Sequence, residues 1–140
     1  MKKSTEELLK ILEQAETPEA YQEAAGEELV QTSLPEELNR LLAERGRKPA
    51  EVIRAAQLDK SYGYDIFAGK KTPSRDKVLA IAFGLSLDGA ETQRLLKFSG
   101  YAPLYARDIR DSVILFSLQH QKTLAEVNDI LYDMQLELVK

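Results

Sequence analysis

Helix-start signals recur along nearly the whole chain, and this recurrence limits the fold more than any other feature of the sequence. A serine, threonine or aspartate stands before an apolar segment with helical spacing at Ser4, Ser33, Ser74, Asp88 and Thr123. Such residues accept hydrogen bonds from the unpaired N–H groups of a first helical turn. After Ser4, Asp88 and Thr123, a glutamate three residues later completes a capping-box pattern. Because alternating strand patterns are nearly absent, the sequence predicts an all-α protein.

The apolar spacing, together with glycine and proline breakers, predicts a series of helices joined by short turns. The first follows Ser4, and a short second helix runs from Thr17-Pro18 to Gly26. The remaining helices are expected over about 33–46, 49–56, 60–67, 74–84, 88–99, 107–120 and 123–134. The chain shows no internal repeat and no low-complexity linker.

Length and charge distribution indicate how these helices are grouped. A chain of 140 residues can form one domain with a helical extension. The formal net charge of −4 is uneven, with −5 in residues 1–33, +3 in residues 34–75 and −2 in residues 76–140. We therefore expect an acidic N-terminal helical extension over 1–33 and a central domain over 34–100. A C-terminal helical pair over 101–140 would pack on that domain or on a partner.

The composition argues against several classes of function. With no cysteine and a single histidine, His120, the chain has few side chains for a metal site or a catalytic triad. We therefore expect no metal, no cofactor and no enzymatic activity. No apolar run reaches the roughly 20 residues that cross a bilayer, and no export signal follows Met1. The sequence predicts a cytoplasmic protein without membrane association, which agrees with the lack of cysteine.

Residues 46–74 carry the pattern from which a function can be inferred. They read GRKPAEVIRAAQLDKSYGYDIFAGKKTPS, which predicts a short helix, a tight turn, a second short helix and a loop with two lysines. In a helix-turn-helix unit, the first helix crosses the DNA backbone and the second lies in the major groove. The local excess of positive charge is what binding to phosphates requires.

This segment resembles the Cro and lambda-type repressor family, also called the XRE family, over about residues 38–87. The loop matches the family pattern without a gap at Gly69, Lys70, Lys71, Pro73 and Ser74. Apolar positions of the pattern match at Leu58, Ile66, Leu85 and Leu87. The resemblance implies a lambda-repressor-like helix-turn-helix bundle, here with an N-terminal helical extension and two additional C-terminal helices. It also implies a sequence-specific DNA-binding transcriptional regulator.

Four positions depart from the family pattern. Ile53 stands where the family usually has alanine, and Gly63 stands where it has a branched apolar residue. Because one side chain is larger and the other smaller, we expect the two helices to pack closely with their total volume roughly conserved. Phe67 replaces the usual acidic residue before the loop. Pro49 replaces a glutamine that helps to bind a phosphate, so one phosphate contact of the family is missing.

Carried over to this chain, the resemblance implies two sets of DNA contacts. The positions that would meet base edges in the major groove are Lys60, Ser61, Tyr64 and Asp65. The positions that would meet phosphates are Arg47, Lys48, Lys70, Lys71 and Arg75. Asp59 also faces the groove in the family, but its place before the second helix favours a role as the cap of the recognition helix. Asp65 brings a carboxylate into the phosphate field and needs a cytosine or a lysine to compensate it.

Two interpretations of function remain open. The first is a regulator that binds double-stranded DNA as a homodimer, in which two recognition helices would lie about 34 Å apart. The second is a protein–protein interaction module on the same fold with weak or no DNA binding, because fold alone does not determine function. Pro49, Asp59, Asp65 and the acidic flanks motivate this second interpretation.

A second copy or a protein partner would bind through one of two candidate surfaces, residues 1–33 or residues 101–140. In the second of these, Tyr101 and Tyr105 flank a proline turn. Tyrosines in such a setting usually bury their rings and keep their hydroxyls in water. We therefore expect both rings to pack against the helices.

Overall fold

The computed structural model describes residues 4–19 and 33–140, and every regular element within them is a helix. In chain order the helices are α1 (Thr5–Gln14), α2 (Leu34–Arg45), α3 (Pro49–Ala55), α4 (Lys60–Phe67), α5 (Arg75–Gly84), α6 (Gly89–Phe98), α7 (Ile109–Gln119) and α8 (Leu124–Asp133). The prediction of an all-α protein is confirmed for this part of the chain. The helix predicted from Thr17-Pro18 to Gly26 falls mainly outside the described residues.

The chain divides into two units, Met1–Gln31 and Thr32–Lys140. In the first unit, Ser4 accepts a hydrogen bond from the Glu7 N–H at 3.1 Å and so caps α1 as its sequence predicts. No residue of α1 is buried, and Leu9 and Leu12 are about half exposed.

In the second unit, the helix starts follow the capping residues. Asp88 and Glu91 form a reciprocal capping box at the start of α6, and Thr123 and Glu126 form another at the start of α8. Ser33 and Ser74 accept hydrogen bonds from the third residue of α2 and of α5. Because these contacts are local in sequence, the helix starts could be predicted from the sequence alone.

α5 lies at the centre of the second unit, because every residue over Val78–Gly84 is buried. α3, α6 and α8 contact α5; α4 packs on α2 and α3, and α7 packs on α6 and α8. A Cβ added to Gly84 would lie only 2.8 Å from the Val52 carbonyl oxygen, so glycine permits the close approach of α3 to α5. A single hydrophobic core contains side chains from both ends of this unit, among them Leu38, Ile66, Leu95, Ile114 and Leu131.

After α8, the last residues fold back onto the helices without regular secondary structure, which the sequence analysis did not predict. Val139 is buried, and both its N–H and its carbonyl bond to the side-chain amide of Asn128, at 2.8 and 3.1 Å. Arg110 donates to the carbonyls of Glu137 and Leu138. The helix predicted to reach residue 134 ends at Asp133, with Met134 as its C-cap. In the part of the chain that is described, no helix is long and apolar enough to span a membrane.

Candidate nucleic-acid interface

α3, the turn after it and α4 form a compact unit, which we call the α3–α4 unit (residues 49–67). In the turn, the Leu58 N–H bonds to the Ile53 carbonyl at 3.1 Å, and Gln57 has a positive φ of 55°. The side chain of Asp59 then accepts a hydrogen bond from the Tyr62 N–H at 3.1 Å. The predicted role of Asp59 as the cap of α4 is confirmed.

The two helices of this unit meet at Ile53 and Gly63. A Cβ built on Gly63 would lie 2.6 Å from Cγ2 and 2.7 Å from Cγ1 of Ile53, far inside a normal contact distance. Ile53 is only 3% exposed. The large residue at one position therefore occupies the space left by the small residue at the other, and the predicted complementary pair is confirmed.

α4 has one face towards the core and one towards solvent. Gly63, Ile66 and Phe67 are buried. Lys60, Ser61 and Tyr64 are exposed, with 41% of Tyr64 accessible, and Asp65 is half-buried. These are the four positions that the resemblance assigns to base contacts. The helix presents them on one side, because Tyr64 lies four residues after Lys60 and Asp65 lies four residues after Ser61.

The loop after α4 folds back over the end of that helix. The main-chain N–H groups of Lys70 and Lys71 both bond to the Asp65 carbonyl, at 2.8 and 3.3 Å. Pro73, further along the loop, is buried, and its carbonyl accepts a hydrogen bond from the Tyr101 hydroxyl at 2.6 Å. The two lysines are thus carried by backbone that is tied at both ends, next to the exposed face of α4.

The basic side chains around the α3–α4 unit fall into two groups. The side chains of Lys48, Lys60, Lys70 and Lys71 are exposed and form no ion pair or hydrogen bond within the described residues. Arg54, on α3, is likewise exposed and forms no ion pair or hydrogen bond within the described residues. The sequence analysis did not identify it as a candidate contact. Its only sequence signal was its place on the face of α3 opposite the buried Val52. These five cations are available to an anionic partner.

Arg75 was expected to contact phosphates, but the structure engages its guanidinium inside the protein. It donates to the carbonyls of Ala102 and Pro103, at 3.1 and 3.2 Å, and to the Asp111 carboxylate at 3.1 Å. Asp111 is 8% exposed and also accepts from the Tyr105 N–H at 2.9 Å. Arg75 therefore fastens the start of α5 to the loop before α7 and to α7 itself.

Arg47 was also expected to contact phosphates and is likewise held by internal partners. Its guanidinium donates to the Glu51 carboxylate at 3.3 Å and to the Gly84 carbonyl at 3.2 Å. These bonds join the segment before α3 to the end of α5. Glu51 lies four residues from Arg47, within the reach of neighbouring helical turns, whereas the Gly84 carbonyl lies 37 residues away.

The C-terminal part of the second unit exposes several large apolar side chains. Those exposed by about half or more are Tyr105, Ile109, Phe116, Tyr132 and Met134. Tyr101 packs partly against the core as predicted, whereas Tyr105 is 60% exposed, so the prediction that its ring is buried was wrong. His120 ends α7, and its ring lies 4.2 Å from that of Phe116.

Within the described ranges, no group of three or more His, Cys, Asp or Glu side chains is placed to hold a metal ion. In comparisons with known proteins, no family model, no curated protein and no solved structure matches this chain.

Proposed function

We propose that this protein is a DNA-binding regulator of transcription that inserts α4 into the major groove of double-stranded DNA. One observation carries the proposal: Lys60, Ser61 and Tyr64 form an exposed face of α4, and unpaired lysines flank it. A short exposed helix beside a second helix is the form in which helix-turn-helix proteins approach base edges. Unpaired cations beside it supply the attraction to phosphates.

In this proposal the exposed face of α4 distinguishes base pairs. Lys60 would donate to guanine O6 or N7, and Asp65 would accept from cytosine N4. Ser61 can donate to or accept from either kind of base pair. Tyr64 presents both an apolar ring and a hydroxyl at 41% exposure, which suits contact with a thymine methyl group or a phosphate.

The phosphate contacts are assigned to Lys48, Lys70 and Lys71, with Arg54 as an addition. Arg47 and Arg75 are left out, because their guanidiniums already bond to carboxylates and carbonyls of the protein. Contact of either guanidinium with a phosphate would break those bonds. Lysine ammonium groups act on phosphates as point charges, so these contacts would fix the orientation of the protein without selecting a sequence.

The experiment is binding of the full chain to a mixed-sequence DNA duplex over a series of salt concentrations. Four or five phosphate contacts predict that log K falls with log salt with a slope of about −4. Lys70→Ala combined with Lys71→Ala should weaken binding to all sequences alike and reduce the magnitude of the slope by about two. Lys97→Ala combined with Lys122→Ala removes the same charge from α6 and the α7–α8 turn, and should leave the slope nearly unchanged.

A second candidate function is a protein–protein interaction module, and one observation favours it. The side chains of Ile109 and Phe116 are 63% and 49% exposed and lie two turns apart on one face of α7. Exposed apolar surface of this kind often marks a protein contact. No detectable DNA binding at about 50 mM salt, where phosphate contacts are strongest, would favour this candidate.

We propose a homodimer for both candidate functions, the DNA-binding regulator and the protein–protein interaction module. A two-fold dimer would bring two α4 helices to one duplex, and the exposed face of α7 is one surface that could form it. Light scattering after size exclusion, over a range of protein concentrations, measures the mass of the particle. A monomer at all concentrations, with or without DNA, would remove the dimer from the proposal.

A further inference from the structure

A small cavity lies on the second unit beneath the loop that carries the two lysines. Its volume is about 230 Å³. The start of α2 forms one wall, the end of α6 a second, and the loop over Gly69–Pro73 a third. Ligand sites for drug-sized molecules occupy about 300–1,000 Å³, so a molecule that fits here is smaller, with on the order of ten non-hydrogen atoms.

Apolar side chains form much of the wall. Leu34, Pro35, Ile66 and Phe98 all line the cavity. Ile66 is fully buried, whereas the other three are partly exposed and so leave apolar surface facing the space. Filling the cavity with an apolar group would remove this surface from water, which is favourable in proportion to the area covered.

Among the described residues that line the cavity, the only charged side chain is positive. Lys71 lines the cavity, and the ammonium group of this residue has no partner within the described residues. None of the described residues that line the cavity is acidic. The polar groups are otherwise uncharged: the Ser99 hydroxyl donates to the Leu95 carbonyl, and the Pro73 carbonyl is bonded to Tyr101.

From these walls we infer that the cavity binds a small apolar monocarboxylate, with its apolar part between α2 and α6 and its carboxylate on Lys71. The single cation balances one negative charge, whereas a phosphate monoester carries about −1.5 to −2 at neutral pH. The inference concerns binding to the protein alone and does not depend on DNA binding. If the proposed function is also correct, the bound anion would compete with phosphate for Lys71.

The test is a titration of the isotope-labelled full chain with phenylacetate, followed by the amide signals in NMR spectra. We expect saturable shifts at Gly69, Thr72 and Ser99, which line the cavity. Phenylacetamide, which has the same shape without the charge, should bind about fivefold more weakly. Acetate, which has the charge without the ring, should bind about tenfold or more weakly.

Two variants of equal charge locate the carboxylate. Lys71→Gln should weaken phenylacetate binding about fivefold and abolish the preference over phenylacetamide. Lys122→Gln removes a lysine that does not line the cavity and has no assigned phosphate contact, and it should leave both affinities unchanged. The inference is overturned if phenylacetate gives no saturable shifts, if the shifts lie elsewhere on the chain, or if the two variants behave alike.

Discussion

The contact between Ile53 and Gly63 makes a prediction whose sign can be worked out from the structure. Gly63→Ala places a methyl carbon 2.6 and 2.7 Å from two carbons of Ile53. Both of these carbons are bonded to the Cβ of a β-branched side chain with a stiff χ1, and Ile53 is buried. The clash therefore cannot be relieved by rotating a flexible side-chain end.

The expected magnitude follows from two opposing effects. Overpacking a core contact costs about 1–3 kcal/mol, whereas replacing a helical glycine by alanine gains about 0.5–1 kcal/mol. We expect Gly63→Ala to destabilise the fold by about 1 kcal/mol, up to about 2 kcal/mol. Ile53→Ala removes all three atoms nearest to the added methyl carbon and by itself should cost about 2–5 kcal/mol through the cavity it leaves.

The decisive comparison is Gly63→Ala in the Ile53→Ala background. There the clash is gone, so the added methyl should stabilise the protein by about 0.5–1 kcal/mol, through helix propensity and partial filling of the cavity. Urea denaturation of the four proteins, followed by circular dichroism, gives the free energy of unfolding of each. The reasoning is refuted if Gly63→Ala has the same effect in both backgrounds, since contacting residues should couple.

Three further predictions concern contacts that hold the second unit together. Asp111→Asn should lower the free energy of unfolding by about 2 kcal/mol, because a buried carboxylate that binds a guanidinium is lost; an unchanged urea midpoint would contradict the role given to it. Tyr101→Phe should cost about 1 kcal/mol in the same assay, because the Pro73 carbonyl loses its donor; no loss would mean that water replaces the hydroxyl. The Arg40 guanidinium hydrogen-bonds to Glu37 and lowers the pKa of this carboxyl from its ordinary 4.5. A lowered folded-state pKa stabilises the fold above the unfolded-state pKa and loses this effect in acid, so the stability advantage of wild type over Glu37→Gln should shrink as pH falls below 4.5; an advantage that grows in acid would contradict it.

The helices and their starts could be predicted because the contacts that fix them are local. The side chains of Asp59, Asp88 and Thr123 each accept a hydrogen bond from the N–H group three residues later. The residues that define each helix start therefore lie within one helical turn of sequence. The pairing of Ile53 with Gly63 could also be predicted, because the two departures from the family pattern change size in opposite directions. The exposure of Lys60, Ser61 and Tyr64 followed from helical spacing once the buried Ile66 was assigned.

What could not be predicted depends on contacts between distant parts of the chain. Arg75 and Asp111 are 36 residues apart, and no spacing rule joins a basic residue at the start of one helix to an acidic residue two helices later. The return of Val139 to Asn128, 11 residues earlier, depends on the direction that the chain takes after α8. The sequence therefore identified most of the basic residues around the α3–α4 unit, but neither Arg54 nor the distant internal partners of Arg47 and Arg75.

The most direct measurement of DNA binding by α4 is an NMR titration of the isotope-labelled full chain with a mixed-sequence duplex at low salt. The proposal predicts that the largest amide shifts occur at residues 60–65 and 69–71, and that they reverse when salt is raised. The absence of shifts there, or shifts confined to α7 and α8, would contradict it.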